Sequence, residues 1–324
     1  MRYSSAEKLE IINLVTGSNL GVKRSLDQLC IPRSTFYNWL DRYTNDGTYG
    51  LEDSKPSPIS WNKIPEDVEQ KLVQLALEET AYSPRELASL YTRRYEYFIS
   101  ESSVYRILKR HDLITSPAFI LMKAKDKFDN PTTAVNQLWQ TDFTYFKIIG
   151  YGWFYLSTVL DDYSRYIVTW RLCSTMAASD VANTLDDALD VAGLKGASIK
   201  HRPRLLSDNG PCYVSHELAN WLDDNDMKHT RGRPYHPMTQ GKIERYHRTM
   251  KNQVLLENYS FPEELERSIE KFVQHYNERR VHESLDNLTP QEVYFGQKQK
   301  ILNKLDRIKK KTMEIRKRKY YKNK

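Results

Sequence analysis

The hydrophobic pattern changes at residue 138, and this change constrains the fold more than any other feature of the sequence. The segment 138–148 is aromatic and β-branched, Gly150-Tyr151-Gly152 predicts a turn, and 153–160 is a largely apolar run typical of a buried strand. A second turn at Asp161-Asp162-Tyr163-Ser164 precedes another strand-like segment, 166–172. Three strands joined by two short turns predict an antiparallel meander, because short turns connect only antiparallel neighbours.

Helical and strand-like patterns alternate after the meander. A helical pattern ends at Gly193, and a short apolar strand follows at 204–207. Because a helix separates this strand from the meander, we expect it to pair parallel with an earlier strand. A helix, a further strand and two long helices, near 240–258 and 262–280, complete the region. The order predicts a mixed five-stranded sheet flanked by helices.

Two all-helical units precede this region. The first, 1–45, begins with the capping box Ser4-x-x-Glu7 and has the spacing of three short helices with a tight turn before the third. This arrangement is typical of a helix-turn-helix, whose last helix faces base edges with its N-terminal residues. Those candidate DNA contacts are Arg33, Ser34, Thr35, Tyr37 and Asn38. A three-helix packing unit without DNA binding is the alternative.

The second helical unit, 66–112, follows the same plan without obvious sequence repetition. Ser83-Pro84-Arg85-Glu86 is a capping box with proline at the first helical position, so a helix begins there. The last helix presents Ser102, Ser103 and Arg106 opposite an apolar face, which fits a second helix-turn-helix, with a solvated face as the alternative. The segments 46–65 and 113–137 have several prolines and little periodicity, and they predict linkers.

Positive charge is concentrated at the C-terminus. The chain has 49 Lys+Arg and 42 Asp+Glu, a net charge of +7, yet residues 297–324 alone hold 13 basic and 2 acidic residues. Such a tail suggests a polyanionic partner, most often nucleic acid, and a solvated charge run explains the composition equally well. The apolar spacing from Ile301 to Ile315 predicts a basic amphipathic helix. Together with a DNA partner, it predicts an arm that contacts phosphates.

Several classes of protein are disfavoured by composition. The three cysteines lie far apart and suit neither a disulfide framework nor a zinc cluster, which fits a reducing cytosol. The longest apolar run is too short for a membrane span, and the polar N-terminal segment has no signal-peptide pattern. We therefore expect a soluble cytoplasmic protein that does not bind membranes.

Three carboxylates occupy positions where such a sheet presents side chains at its carboxyl edge. Asp142 lies in the first strand, Asp208 directly follows the fourth, and Glu244 lies one turn into the helix that begins near 240. Three converging carboxylates repel, by about 4 kcal/mol per pair at about 4 Å and an effective dielectric of about 20, so the cluster requires cations. All-oxygen ligands suit Mg²⁺ or Mn²⁺. Asp161 and Asp162 are rival carboxylates, which their turn explains.

Three motifs containing these carboxylates resemble the integrase core of bacterial insertion-sequence transposases, the DDE class with a ribonuclease-H-like fold. They are Trp139-Gln-Thr-Asp142, Leu206-Ser-Asp208-Asn-Gly210 and Tyr235-His-Pro-Met-Thr-Gln-Gly-Lys-Ile-Glu244-Arg. The resemblance covers about half of the chain and implies a catalytic core at 138–296. It implies that Asp142, Asp208 and Glu244 bind two Mg²⁺ ions, which would stabilise the attacking and the leaving oxygens of a phosphoryl transfer.

The resemblance also implies the reaction and its partners. Water first releases a 3′-hydroxyl at the transposon end, and that hydroxyl then attacks a second phosphodiester. The partners are double-stranded DNA, as terminal repeats and as target, and further copies of the chain on paired ends, in the bacterial cytoplasm at the nucleoid. A basic residue at Lys251 is expected to hold the transposon end, and we add Lys242 and Arg248 on the same helix. The alternatives are a DNA-binding regulator with an inactive core and a nuclease that cleaves without joining.

Overall fold

The computed structural model describes residues 3–18, 21–52, 60–114, 132–195, 202–232, 241–255 and 259–322. The chain divides into two compact units, of which the first comprises Met1–Lys63 with Lys319–Lys324 and the second Ile64–Arg318. The Tyr235-His-Pro stretch of the third motif and most of the predicted linker at 113–137 lie outside the described residues.

The first unit contains the predicted helices, α1 (Ser5–Gly17), α2 (Val22–Gln28) and α3 (Arg33–Asp46). Their apolar faces meet in a core that includes Ile12, Leu26 and Phe36. A 3-10 turn at Gly47–Leu51 then buries Leu51 in the same core, and the Lys8 ammonium donates to the Leu51 carbonyl at 3.1 Å.

The predicted linker therefore begins too early, because its first residues complete the core of the helical unit. Gly50 makes this turn possible. A Cβ atom added there would lie 2.1 Å from the carbonyl oxygen of Arg42, so only glycine fits against α3.

The second compact unit begins with three more helices, α4 (Glu66–Glu78), α5 (Pro84–Tyr95) and α6 (Glu101–Arg110). Leu72, Tyr91 and Val104 are central to their shared core. The Ser83 capping box begins α5 as predicted, and Ser100 caps α6 by accepting from the Ser103 amide.

A mixed five-stranded sheet forms the centre of the same unit and confirms the predicted topology. Its strands are β1 (Leu138–Ile148), β2 (Gly152–Asp161), β3 (Ile167–Cys173), β4 (Arg204–Ser207) and β5 (His229–Arg231), in the order β3-β2-β1-β4-β5. The meander β1-β2-β3 is antiparallel, whereas β4 pairs parallel with both β1 and β5.

Helices cover both faces of the sheet. On one face α7 (Ala178–Val191) and α8 (His216–Asp224) pack around Trp139 and Leu205, and on the other α9 (Gly241–Val254) and α10 (Pro262–Glu278) pack around Phe146 and Ile148. Two further helices follow, α11 (Pro290–Tyr294) and α12 (Lys298–Lys322). No helix in the described part of the chain is long and apolar enough to cross a membrane.

Ion pairs join the second helical unit to the residues that follow the sheet. Arg93 of α5 binds the Glu292 carboxylate of α11 with both terminal nitrogens, and Arg85 lies 3.2 Å from Glu283. Each pair connects positions about 200 residues apart in sequence. The helical unit and the sheet therefore belong to one compact unit.

The basic tail forms the predicted amphipathic helix, α12, but it is not a detached arm. Its buried side chains include Ile308, Thr312 and Arg316. The Thr312 hydroxyl accepts from the Phe98 amide at 2.9 Å, and the Arg316 guanidinium donates to the Phe98 carbonyl and the Tyr97 hydroxyl, each at 2.8 Å. The helix thus packs on the turn between α5 and α6, and most of its basic side chains are exposed.

We expect Arg316→Met to destabilise the second unit, because the substitution leaves the Phe98 carbonyl without its charged donor. An unsatisfied buried polar group costs about 1–3 kcal/mol in the free energy of unfolding. Lys310→Met is the matched control, since Lys310 is exposed and pairs only with Asp306 of its own helix turn, worth less than about 0.5 kcal/mol. Urea unfolding measures both variants, and equal losses would contradict the bracing role of Arg316.

Candidate functional site

Strand register brings Asp142 and Asp208 to one edge of the sheet. Parallel pairing aligns Leu138 with Arg204 and Gln140 with Leu206, and Asp142 and Asp208 each lie two residues beyond this last aligned pair, at the same end of the two strands. Electrostatics agree with this alignment. Burial raises the pKa of the Cys212 thiol, and the carboxylates of Asp208 and Asp142 both raise it further. The two carboxylates therefore act on the same neighbour.

The Asp-Asn-Gly sequence after β4 shapes a turn around the Asp208 carboxylate. The Gly210 amide donates to Asp208 Oδ1 at 2.8 Å, and the Asn209 side-chain amide donates to the Gly232 carbonyl at 2.9 Å. A Cβ atom at residue 210 would lie 3.0 Å from the same carboxylate oxygen. The glycine lets the backbone approach Asp208 closely, and the asparagine ties this turn to the end of β5.

Helix α9 carries Glu244 alongside β1. The Ile243 amide in its first turn donates to Gln140 Oε1 at 3.2 Å. Gln140 and Asp142 are two residues apart on one strand and so share a face of the sheet. Glu244 is exposed, directly after this anchored amide, in a first turn where a helix favours negative charge.

His247 and Lys251 show that α9 continues along β1 in the same direction. His247 is buried, and its Nδ1 lies 3.4 Å from Asp142 Oδ2. One turn later, the Lys251 ammonium lies 4.2 Å from the centre of the Tyr145 ring. The contact of His247 with Asp142 depends on the packing of α9 on β1 and is not indicated by the sequence near either residue.

A buried polar network fixes the start of α9. The Lys242 ammonium lies 2.8 Å from both the carboxylate and the carbonyl oxygen of Asp162. The same carboxylate accepts from Gln140 Nε2 at 2.7 Å and from the Thr132 hydroxyl at 2.6 Å. The prediction of Lys242 as a DNA contact is wrong, because its ammonium is consumed by this internal ion pair.

The neighbouring Asp161 has the structural role that its turn predicted. It is fully buried and accepts from the amide and hydroxyl of Ser164 and from the Asn136 amide. Burial is the largest influence on its carboxyl group and raises its pKa, against the opposing effect of these donors. These contacts occupy Asp161 in holding the end of β2.

The oxygen atoms of these carboxylates are suitable ligands for a hard cation, although the described side chains do not form a complete metal site. No group of three His, Cys, Asp or Glu side chains within the described residues is arranged to hold a metal ion. Asp142 and Asp208 nevertheless lie at the same end of β1 and β4, and the first turn of α9, which carries Glu244, is anchored on β1. An all-oxygen donor set on partly exposed side chains suits Mg²⁺, which keeps several water ligands.

The predicted DNA contacts of the first unit lie on the outward side of α3. Arg33, Ser34, Tyr37 and Asn38 are exposed and Thr35 is half-buried, whereas the intervening Phe36 is buried in the core. The helix therefore offers these polar side chains to a groove.

The predicted DNA contacts on α6 and α9 differ in their exposure and in their hydrogen bonds within the protein. On α6, Ser102 and Arg106 are exposed, and the Arg106 guanidinium donates to the Ser102 carbonyl at 3.1 Å. Ser103 is half-buried, and its hydroxyl lies 2.9 Å from the capping hydroxyl of Ser100. Arg248 is exposed on α9, one helical turn beyond Glu244.

We expect Lys242→Met to destabilise the core strongly, because it leaves the Asp162 carboxylate buried without its cation. Breaking a buried pair in this way costs about 3–5 kcal/mol in the free energy of unfolding. Lys195→Met is the control, since Lys195 pairs with Asp186 and Asp190 at the surface, where solvent screens the attraction and the pair contributes little. Denaturant titration compares the two, and a loss no larger than the control's would rule out the anchoring network.

Family comparisons match homeodomain-like helical regions before an integrase core region. The family described as "Integrase core domain" matches residues 132–237, and a second family of that description matches 225–290. Two families described as "Homeodomain-like domain" match residues 2–52 and 35–108.

Similar proteins include bacterial transposase-like chains. InsK of Escherichia coli K12, the proposed transposase of insertion sequence element IS150, is 25% identical over 80% of this chain and 88% of its own length. An uncharacterised transposase-like protein of Haemophilus influenzae is 27% identical over 50% of this chain and 72% of its own.

Similar solved structures are retroviral. The HTLV-2 integrase catalytic core domain in complex with magnesium is 21% identical and covers 50% of this chain and 97% of that one, with a TM-score of 0.39. An intasome of simian T-cell lymphotropic virus is 19% identical and covers 65% and 74%, with a TM-score of 0.45.

Proposed function

Because this chain carries an integrase core domain behind homeodomain-like helical domains and is homologous to insertion-sequence transposases, we propose that it is a DDE transposase. It binds the ends of its element, cleaves a phosphodiester there and joins the released 3′-hydroxyl to target DNA. The observation that carries this proposal is the placement of Asp142 and Asp208 two residues beyond the last aligned pair of β1 and β4, with α9 anchored on β1 one residue before Glu244.

The three carboxylates would hold Mg²⁺, which when bound supplies positive charge at the reacting phosphate and favours deprotonation of water. The chain contributes orientation. The Gly210 amide holds one oxygen of Asp208, and the buried His247 ring limits the positions open to Asp142. Helix α9, which carries Glu244 in its first turn, is held there by Gln140, two residues before Asp142.

The reaction requires no nucleophile from the protein. Water attacks the phosphodiester at the transposon end, the bond to the departing 3′-oxygen breaks, and that oxygen takes up a proton as the 3′-hydroxyl. The hydroxyl then attacks a target phosphodiester, with loss of its proton and release of a second 3′-oxygen. Both steps are phosphoryl transfers, which proteins catalyse mainly by positioning and charge stabilisation.

DNA recognition is proposed for the two helical units. In the first, the outward start of α3 would enter the major groove, with Arg33 reaching base edges. In the second, Ser102 and Arg106 are the exposed counterparts on α6. Lys251, Arg248 and the outward basic side chains of α12 would contact phosphates, and we propose that copies of the chain assemble on paired ends.

Conservative neutralisation of the carboxylates tests the activity. We expect Asp142→Asn, Asp208→Asn and Glu244→Gln each to reduce Mg²⁺-dependent cleavage and joining at least about 10³-fold, since each removes a charged ligand of the reacting centre. The assay follows labelled DNA that carries the element's flanking terminal sequences, and binding to that DNA is expected to persist.

Asp186→Asn is the matched control for this series, because Asp186 is a surface aspartate of α7 that pairs with Lys195. Full strand transfer by any carboxylate variant would exclude that residue from the active site. Cleavage without joining by the wild-type chain would indicate a nuclease, and intact binding without either reaction would indicate a regulator.

Arg33→Ala tests sequence reading by α3. We expect the loss of a base-edge contact to cost about 1–3 kcal/mol of discrimination at one base pair, while binding to unrelated DNA changes little. Competition binding against end-sequence and random duplexes measures the ratio. An equal loss on both duplexes would make Arg33 a phosphate contact instead.

A further inference from the structure

An exposed aromatic pair lies on the β1–β2 hairpin near the proposed site. Tyr145 and Trp153 are 54% and 49% exposed, and their rings meet edge to face with centroids 5.4 Å apart. Trp153 lies directly opposite Lys147 in the strand pair and diagonal to Tyr145, so the three side chains share one face. Two half-exposed rings at one place on a surface are costly unless something covers them.

Two lysines accompany these rings. The Lys251 ammonium lies 4.2 Å from the centre of the Tyr145 ring, and the Lys147 ammonium lies 5.5 Å from that of Trp153. Lysine is depleted from the centre of protein–protein interfaces. Aromatic faces flanked by cations are instead the combination that binds single-stranded nucleic acid, with stacked bases and paired phosphates.

The aromatic pair is close to the carboxylate edge. Tyr145 follows Asp142 by three residues on β1, about 10 Å along the strand, and its side chain projects from the opposite face of the sheet, because side chains alternate along a strand. That distance is about three base-pair steps of DNA. Helix α9 spans the same interval, since His247 contacts Asp142 and Lys251, one turn later, contacts Tyr145.

The described pairing leaves the intervening edge of β1 accessible. Strand β4 pairs with β1 only from Leu138 to Gln140, so the part of β1 beyond Asp142 has β2 on one side and α9 near the other. A strand of DNA whose phosphate lies at Asp142 would therefore pass this unpaired side of β1 to reach Tyr145, where Lys251 of α9 meets the ring.

We propose that Tyr145 and Trp153 form a stacking platform for an unpaired base within about three nucleotides of the phosphate that lies at Asp142. Bases within a duplex present only their edges, so the platform selects DNA whose end is frayed or single-stranded. When DNA binds, the ammonium groups of Lys251 and Lys147 leave the two rings and bind the phosphates of the stacked nucleotide. This proposal rests on the proposed DNA-processing function and adds to it a preference for opened ends.

Binding of two labelled duplexes by the full chain tests the platform. One duplex is blunt, and the other has the same sequence with three unpaired terminal nucleotides; EDTA prevents cleavage. We expect the wild-type chain to prefer the opened duplex, and Tyr145→Leu/Trp153→Leu to lower that preference roughly 10-fold or more. Leucine retains apolar bulk but offers no aromatic face, so the double variant Tyr145→Phe/Trp153→Phe should keep the preference.

Tyr151→Leu is the matched control. Tyr151 belongs to the same hairpin and is 52% exposed, but its ring contacts Phe261 rather than Trp153. Equal weakening of both duplexes by the leucine pair, an unchanged preference, or loss of preference in the phenylalanine pair would overturn the platform. So would a change in oligomeric state without a change in preference, which would assign the rings to self-association.

The test separates this proposal from the proposed function. Asp142→Asn abolishes the expected chemistry but leaves the platform intact, so it should bind the opened duplex with the wild-type preference. Failure of strand transfer with a retained preference would overturn only the transposase activity. Strand transfer without any preference for opened ends would overturn only the platform.

Discussion

The carboxamide of Gln140 is the group on which the geometry of the site depends. It is fully buried, accepts from the first-turn amide of α9 and donates to Asp162, which in turn binds Lys242. A buried amide leaves this arrangement only at the cost of several unsatisfied polar groups. The side chain of Gln140, two residues before Asp142, thereby fixes the first turn of α9, which carries Glu244. Strand β1 itself carries Asp142 and pairs with β4, which Asp208 follows.

Contacts between residues that are distant in sequence also explain why the second helical unit is not a separate domain on a linker. The linker pattern at 113–137 predicts separation, yet Arg93, Arg85 and α12 hold that unit within the compact body of the sheet. These contacts join residues about 200 positions apart in sequence. A tail that composition describes as a solvated or DNA-binding arm thus contributes buried hydrogen bonds as well as outward charge.

Much of the fold followed from local patterns. Turn residues and β-branched runs predicted the meander, the helical crossover predicted the parallel fourth strand, and the capping boxes predicted the starts of α1 and α5. Two predictions failed where the deciding partner is distant or unrecognised. The linker was predicted to begin too early, because Leu51 packs in the core of the first helical unit. Lys242 was predicted to contact DNA, because nothing near it in sequence indicates that it pairs with Asp162.

By itself, the sequence determined which elements form and which side chains could perform chemistry, because periodicity, turn residues and caps act within a few residues of the chain. It also identified Asp142, Asp208 and Glu244 as one candidate set. Only the tertiary structure decided which groups surround these carboxylates. It places the His247 ring at Asp142, pairs Lys242 with Asp162, and leaves the Tyr145–Trp153 pair exposed beside two lysines. Those outcomes depend on strand register and helix placement, which arise from packing between segments that no local pattern connects.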